Sequence, residues 1–203
     1  MIITVGGIKG GSGKSTVATN LATIRAMTGS DVLLIDADDQ ETAADFTILR
    51  NERHPGGAHY TCIKLTGPAV RTETLRLAGK YQDIVIDTGG RDTTSQRAAL
   101  SVSDVLLVPF VPRSFDIWTL ERVGELVEEM RTANPSLKAY TFLNRTDPRG
   151  ADNEGAGEVL RETKTLTFIN PPWVLGRPSA MPPLKVWRSQ NLSRRISRPR
   201  KRS

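Results

Sequence analysis

Short apolar runs alternate along the chain with longer stretches in which apolar and polar residues mix at helical spacing. Residues 2–5, 32–35, 62–65, 84–86, 105–109, 138–143 and 166–169 are rich in β-branched side chains and read as strands. Between them, residues 14–27, 42–49, 68–78, 94–102, 117–133 and about 155–163 read as helices, with Gly29-Ser30 and Asn134-Pro135 as stop signals. Ile117, Leu120, Val123, Leu126, Val127 and Met130 recur at the spacing of a helix face turned to a core. Strand and helix in repetition predict an α/β fold, a mostly parallel twisted sheet with helices on both faces. In such sheets ligands sit beyond the carboxyl ends of the strands, so polar residues just after each strand become the candidates.

A chain of 203 residues is long enough for one such domain and too short for two comfortable ones. Its 38% hydrophobic and 25% charged content is that of an ordinary globular protein. With no run of eighteen apolar residues and no charged-then-apolar leader, a cytoplasmic location is expected. Cys62 is the single cysteine, which excludes an internal disulfide and a cysteine-bound cluster; a packed core position is expected for it.

Charge is distributed unevenly. Beyond Glu162 there is no Asp or Glu but ten basic residues, which leaves 18 basic against 22 acidic residues, or −4, for residues 1–162. The net +6 of the whole chain therefore sits at its end and points to an anionic partner, nucleic acid or a membrane surface.

The chemistry begins after the first strand, at Lys9-Gly10-Gly11-Ser12-Gly13-Lys14-Ser15-Thr16. Glycines let successive backbone N–H groups turn into one anion-binding concavity, and the following helix adds the positive end of its dipole. Lys14 would reach the β- and γ-phosphates, and the Ser15 hydroxyl would join the shell of Mg²⁺. The general pattern G-x-x-x-x-G-K-[ST] is not met in full, because Ile8 stands where its first glycine belongs.

K-G-G-x-G-K-[ST]-T with a leading lysine resembles the deviant Walker A signature of the ParA/MinD family of P-loop NTPases. That resemblance implies an ATPase that dimerises around two sandwiched nucleotides, with Lys9 as the signature lysine that crosses to the partner's phosphates. The lone cysteine sets the chain apart from the nitrogenase iron-protein branch of the wider family.

Three later strand ends fit the same resemblance. Asp36-Ala37-Asp38-Asp39-Gln40 is similar to the family's D-x-D-P-Q segment, with Asp39 in place of the usual proline. By that match Asp38 orients the attacking water and senses the γ-phosphate, and Asp36 supports the metal shell. Asp83-Ile84-Val85-Ile86-Asp87-Thr88-Gly89-Gly90 resembles the Walker B strand and switch II. Asp87 is a hard oxygen ligand suited to Mg²⁺, and Gly89 and Gly90 leave backbone N–H groups free to follow the γ-phosphate. Asn144, after 140–143, stands where family members keep an asparagine that hydrogen-bonds the adenine edge. Finally, Pro112 to Asp116 resembles the family's entry into a long dimer-face helix.

The likeness covers residues 1–170, expected to be the ATPase domain; residues 171–203 form a basic Pro/Arg/Ser-rich tail that departs from it. From Arg177 onward the composition is what an out-of-frame reading of a GC-rich gene gives, and a genuine basic arm is the alternative. Arg194, Arg195, Arg198, Arg200, Lys201 and Arg202 are suited to non-specific contact with a DNA backbone. The expected function is thus that of a partition ATPase using ATP and Mg²⁺. Its expected partners are a second copy, a centromere-binding adaptor and duplex DNA, with the nucleoid as its ATP-bound location. A MinD-like, membrane-associated positioning ATPase is the alternative, since Leu184, Trp187, Leu192 and Ile196 stand near helical spacing. A related ATPase that positions protein clusters is a further one.

Overall fold

The first strand, β1 (Ile2–Val5), lies near the middle of the sheet, and every other element is placed by how the chain leaves and returns to it. In this computed structural model, which describes residues 1–146 and 152–169, seven parallel strands run in the order β3-β2-β4-β1-β5-β6-β7. They are β2 (Val32–Ala37), β3 (Thr61–Lys64), β4 (Asp83–Thr88), β5 (Val105–Phe110), β6 (Lys138–Leu143) and β7 (Thr167–Phe168). The helices are α1 (Lys14–Met27), α2 (Thr42–Arg53), α3 (Ala69–Leu77), α4 (Thr94–Leu100), α5 (Ile117–Ala133) and α6 (Asp152–Glu162). A short 3-10 turn, Pro112–Ser114, leads into α5.

Both faces of the sheet are covered because its central strands are apolar on both sides. Val32 and Leu34 of β2 pack with Val17, Leu21 and Ala22 of α1, whereas Leu33 and Ile35 pack with Val70 of α3 and Ala99 of α4. In β5, Val105 and Leu107 join the α1 side, while Leu106, Val108 and Phe110 meet α5 and α6. Period-2 alternation thus feeds two cores, the pattern of a parallel sheet buried on both faces.

Several boundaries differ from those the pattern predicts. β2 and β4 run on to Ala37 and Thr88, which takes Asp36, Asp87 and Thr88 into the sheet. Asp36 pairs with Asp87 in register, and Asp87 in turn with Val5. α2 extends to Arg53, one turn beyond the expected stop, and α6 begins earlier than expected, at Asp152. On α5, Leu120, Val123, Leu126, Val127 and Met130 are buried as the stripe predicts, but Ile117 is exposed beside Trp118, because the first turn overhangs the core. Cys62 is half-buried on β3, the edge strand, rather than in the core. Among the described residues no helix is long and apolar enough to cross a membrane. The tail residues Arg194, Arg195, Arg198, Arg200, Lys201 and Arg202 lie outside the described residues.

Candidate nucleotide site

The strand order brings the ends of β1, β2 and β4 side by side. The loop from β1 turns into α1 through Gly13, whose φ of 89° is left-handed, and its carbonyl accepts the first bond of the helix from Val17 N–H. No side chain caps this helix and its first turn holds no acidic residue, so its amide end is open to an anion. Gly10 and Gly11 are exposed at the crest of the loop, and Ser12 is buried beneath it. Ser15 and Thr16 follow Lys14 in the first turn of α1.

Lys14 is buried and arches back across its own loop, where Nζ donates to the Lys9 carbonyl at 2.9 Å. Burial lowers its pKa, and the carboxylates of Asp87 and Asp38 pull it back up. Those carboxylates come from the neighbouring strands. Asp87 is fully buried, and among the described residues neither of its oxygens has a hydrogen-bond partner. Burial pushes its carboxyl up to about 7; the Ser15 hydroxyl draws it down, Asp36 and Asp38 add to the rise, and Lys14 opposes it.

An orphaned buried carboxylate beside a serine hydroxyl fits a hard divalent cation, which would satisfy both oxygens and hold the group ionised. Asp36 is engaged differently. Its two oxygens accept the backbone N–H groups of Asp38 at 3.1 Å and Ala44 at 2.8 Å, bracing the end of β2 against α2. Burial raises its pKa against these bonds. Asp38, partly exposed, accepts from Gln40 N–H at 3.2 Å and lies against the loop after β4, where a Cβ on Gly89 would stand 3.1 Å from its Oδ1. Gly90 touches the phosphate loop itself: a Cβ there would stand 2.8 Å from both Cα and N of Gly10. Phosphate loop, Asp38 segment and glycine loop therefore form one contiguous surface.

Lys9 points to α5. Its Nζ lies 2.8 Å from Oδ2 of Asp116, which also caps that helix by accepting Thr119 N–H at 2.6 Å. The Lys9 ammonium, with Thr119, holds the Asp116 carboxyl down at about 2. The sequence pattern marks Asp116 as a helix entry and gives no sign of this pairing.

Asn144 has a place the sequence does not indicate. It is fully buried behind the phosphate loop, where Nδ2 donates to Ser12 O at 2.8 Å and Oδ1 accepts Arg145 N–H at 3.0 Å. Gly13 is the residue that admits Asn144, since a Cβ there would stand 2.4 Å from Nδ2. Gln96 of α4 goes unnoticed in the sequence, yet it is fully buried and joins the loop after β1 to the end of β4.

The family described as the CobQ/CobB/MinD/ParA nucleotide binding domain matches residues 3–175. The chain belongs to this family. It is 30% identical over 151 residues to the maintenance of carboxysome distribution protein A of Halothiobacillus neapolitanus, a match covering 73% of this chain and 68% of that one. It is also 30% identical to the chromosome-partitioning ATPase Soj of Thermus thermophilus, over 66% of this chain and 65% of that one. Among solved structures, cobyrinic acid a,c-diamide synthase from Mycobacterium smegmatis, with bound ATP analogue and magnesium, shares the fold. The TM-score is 0.76 at 16% identity, over 85% of this chain and 86% of that one. The chain is thus a member of a nucleotide-binding family that includes partitioning ATPases, with the α/β P-loop fold that its pattern predicts.

Proposed function

We propose that the protein is a Mg²⁺-dependent ATPase of the partition type, which dimerises around two ATP molecules, binds duplex DNA without base readout and positions cargo through a centromere-binding adaptor. The observation that carries the reading is Asp87, a buried carboxylate with no hydrogen-bond partner among the described residues, set between the lysine of an uncapped phosphate loop and the serine that follows it. A carboxylate buried in this way calls for a partner, and a bound divalent cation supplies one.

Each residue then has a task. Backbone N–H groups of Gly10, Gly11, Ser12, Gly13, Ser15 and Thr16, with the Lys14 ammonium, bind and orient the phosphates. Ser15 and Asp87, with Asp38 and Asp36 behind them, would hold Mg²⁺, whose chemistry is to neutralise charge on the phosphate oxygens. Asp38 positions the attacking water, and the N–H of Gly90 follows the γ-phosphate. Asn144 serves the adenine subsite and holds the loop from behind. Lys9 leaves Asp116 for the phosphates of the second copy, where its charge stabilises the transition state.

The basic tail supplies the DNA contact through Arg194, Arg195, Arg198, Arg200, Lys201 and Arg202, which places the ATP-bound form on the nucleoid. The cargo is a plasmid or a chromosome; similarity to a carboxysome distribution protein supports a protein cluster as the second reading. Light scattering with ATP and with ADP, for the native protein and Lys9→Ala, tests the dimer; parallel titration with duplex DNA and anionic liposomes tests the surface. The expected result is an ATP-dependent dimer lost in Lys9→Ala and salt-sensitive binding to DNA. An undiminished Lys9→Ala dimer overturns the role of Lys9, and liposome binding without DNA binding overturns the choice of surface.

A further inference from the structure

Gln96 sits in the first turn of α4 and is fully buried. Its Oε1 accepts from Gly7 N–H at 3.2 Å and from the Thr88 hydroxyl at 3.0 Å. Gly7 opens the phosphate loop, and Thr88 is the last residue of β4, directly before Gly89 and Gly90. The Thr88 hydroxyl also reaches Val5 O at 3.2 Å, sharing its one proton between that carbonyl and the amide oxygen, so the ends of β1 and β4 are tied both directly and through Gln96. Its Nε2 is buried with no acceptor among the described residues. A side chain kept only to fill this space would be apolar, because a buried donor without an acceptor destabilises the fold. The amide is there for its oxygen.

The next residue completes the arrangement. Arg97 points outward and binds Asp92 bidentately, through Nε and Nη2, both at 2.7 Å. It also bonds Glu129 of α5, at 2.5 Å from Nη1. Neighbouring residues of one short helix thus fasten the two ends of the glycine loop, Thr88 at its start and Asp92 at its end. Gly89, Gly90 and Arg91 are left between the anchors, and Gly90 rests against Gly10.

We propose that Gln96 is a positioning residue for ATP hydrolysis: through its side-chain oxygen it sets the start of the phosphate loop against the start of the glycine loop, so that Gly89 and Gly90 meet the γ-phosphate in register. Gln96 acts through Gly7 and Thr88. The inference rests on the ATPase reading above and adds a residue to it.

The test compares Gln96→Leu, Thr88→Val, their double variant and Thr88→Ser in the full chain. With Mg·ATP, Gln96→Leu and Thr88→Val lower kcat roughly 10- to 100-fold, the range found when an outer-shell partner is removed, while the KM for ATP stays within about threefold. The double variant loses less than the product of the two single losses, because both remove the Gln96–Thr88 bond, although Thr88→Val also releases Val5 O and Gln96→Leu also releases Gly7 N–H. Thr88→Ser, which keeps the hydroxyl, retains native kcat. Thr88→Val carries the test alone if Gln96→Leu does not accumulate as folded protein.

A second readout needs no turnover. In hydrogen exchange without nucleotide, Gln96→Leu speeds exchange in peptides covering 6–9 and 88–92 and leaves the middle of α5 unchanged. Unchanged exchange in those two peptides overturns the inference, whatever the native protein does with ATP. So does a kcat within twofold of native, or a rise in KM with kcat preserved. A native protein that never hydrolyses ATP, with exchange altered as described, contradicts the ATPase reading and leaves the Gln96 link standing.

Discussion

Replacing Asp87 by asparagine should make the protein more stable while abolishing the activity proposed for it. In the folded chain both carboxylate oxygens are buried without a hydrogen-bond partner among the described residues, and burial pushes the group up to about 7. In the unfolded chain the same group titrates near the ordinary carboxylate value of about 3.9. Between those two values the folded state binds the extra proton, so stability falls as pH rises through this window. At about 1.4 kcal/mol per pH unit, the loss reaches about 4 kcal/mol above pH 7. Asparagine has the same shape and no charge, so Asp87→Asn should recover most of that amount. For a domain of this size this corresponds to a rise in melting temperature of about 10 °C at pH 7.5.

Thermal denaturation of both proteins in metal-free buffer from pH 4 to 8 makes the comparison. The gap should shrink to a few tenths of a kcal/mol at about pH 4, where Asp87 is protonated in the folded chain and about half protonated in the unfolded one, and Mg·ATP should stabilise the native protein without stabilising Asp87→Asn to the same degree. A variant no more stable than native at pH 7.5, or a gap of the same size at pH 4, would refute the reasoning.

Other perturbations probe the contacts around this carboxylate. Gly90→Ala places a Cβ 2.8 Å from the Gly10 backbone, where nothing can yield, so the loop must lift; we expect at least a tenfold loss of kcat and a cost of about 1–3 kcal/mol in chemical denaturation. Asp116→Ala removes the helix cap at a cost of about 1 kcal/mol and releases Lys9, so dimerisation with ATP should begin at lower protein concentration in sedimentation velocity. Glu41 holds a left-handed φ of 53° at the start of α2; Glu41→Gly should relieve roughly 1 kcal/mol of strain, partly offset by loss of its exposed bridge to Lys64, and raise the urea midpoint slightly.

The order of elements was legible because strand and helix periods differ and each apolar run is bounded by turn residues. The ends of β2 and β4 were not, since Asp36, Asp87 and Thr88 are polar and only pairing with their neighbours makes them strand. The same holds for the site. A phosphate loop announces itself through composition, whereas Asp38 and Asp87 stand out as polar strand ends whose roles the family resemblance implies. Gln96 carries no such mark: Thr-Thr-Ser-Gln reads as a polar first turn, and its burial arises where α4 crosses behind β1 and β4. Asn144 was legible as a polar strand end, whereas its bond to Ser12 spans 132 residues and exists only in the folded chain. The pairing of Lys9 with Asp116 is of the same long-range kind.

The most direct test of the central claim is ATP hydrolysis by the native protein and by Lys14→Ala, measured with Mg²⁺ under single-turnover conditions alongside equilibrium binding of ATP. Lys14 is the one buried cation of the phosphate loop, flanked by Asp87 and Asp38, and its removal leaves the phosphates without their charge partner. The account predicts slow hydrolysis by the native protein and a loss of roughly a hundredfold or more in Lys14→Ala. Hydrolysis by Lys14→Ala at the native rate would contradict it.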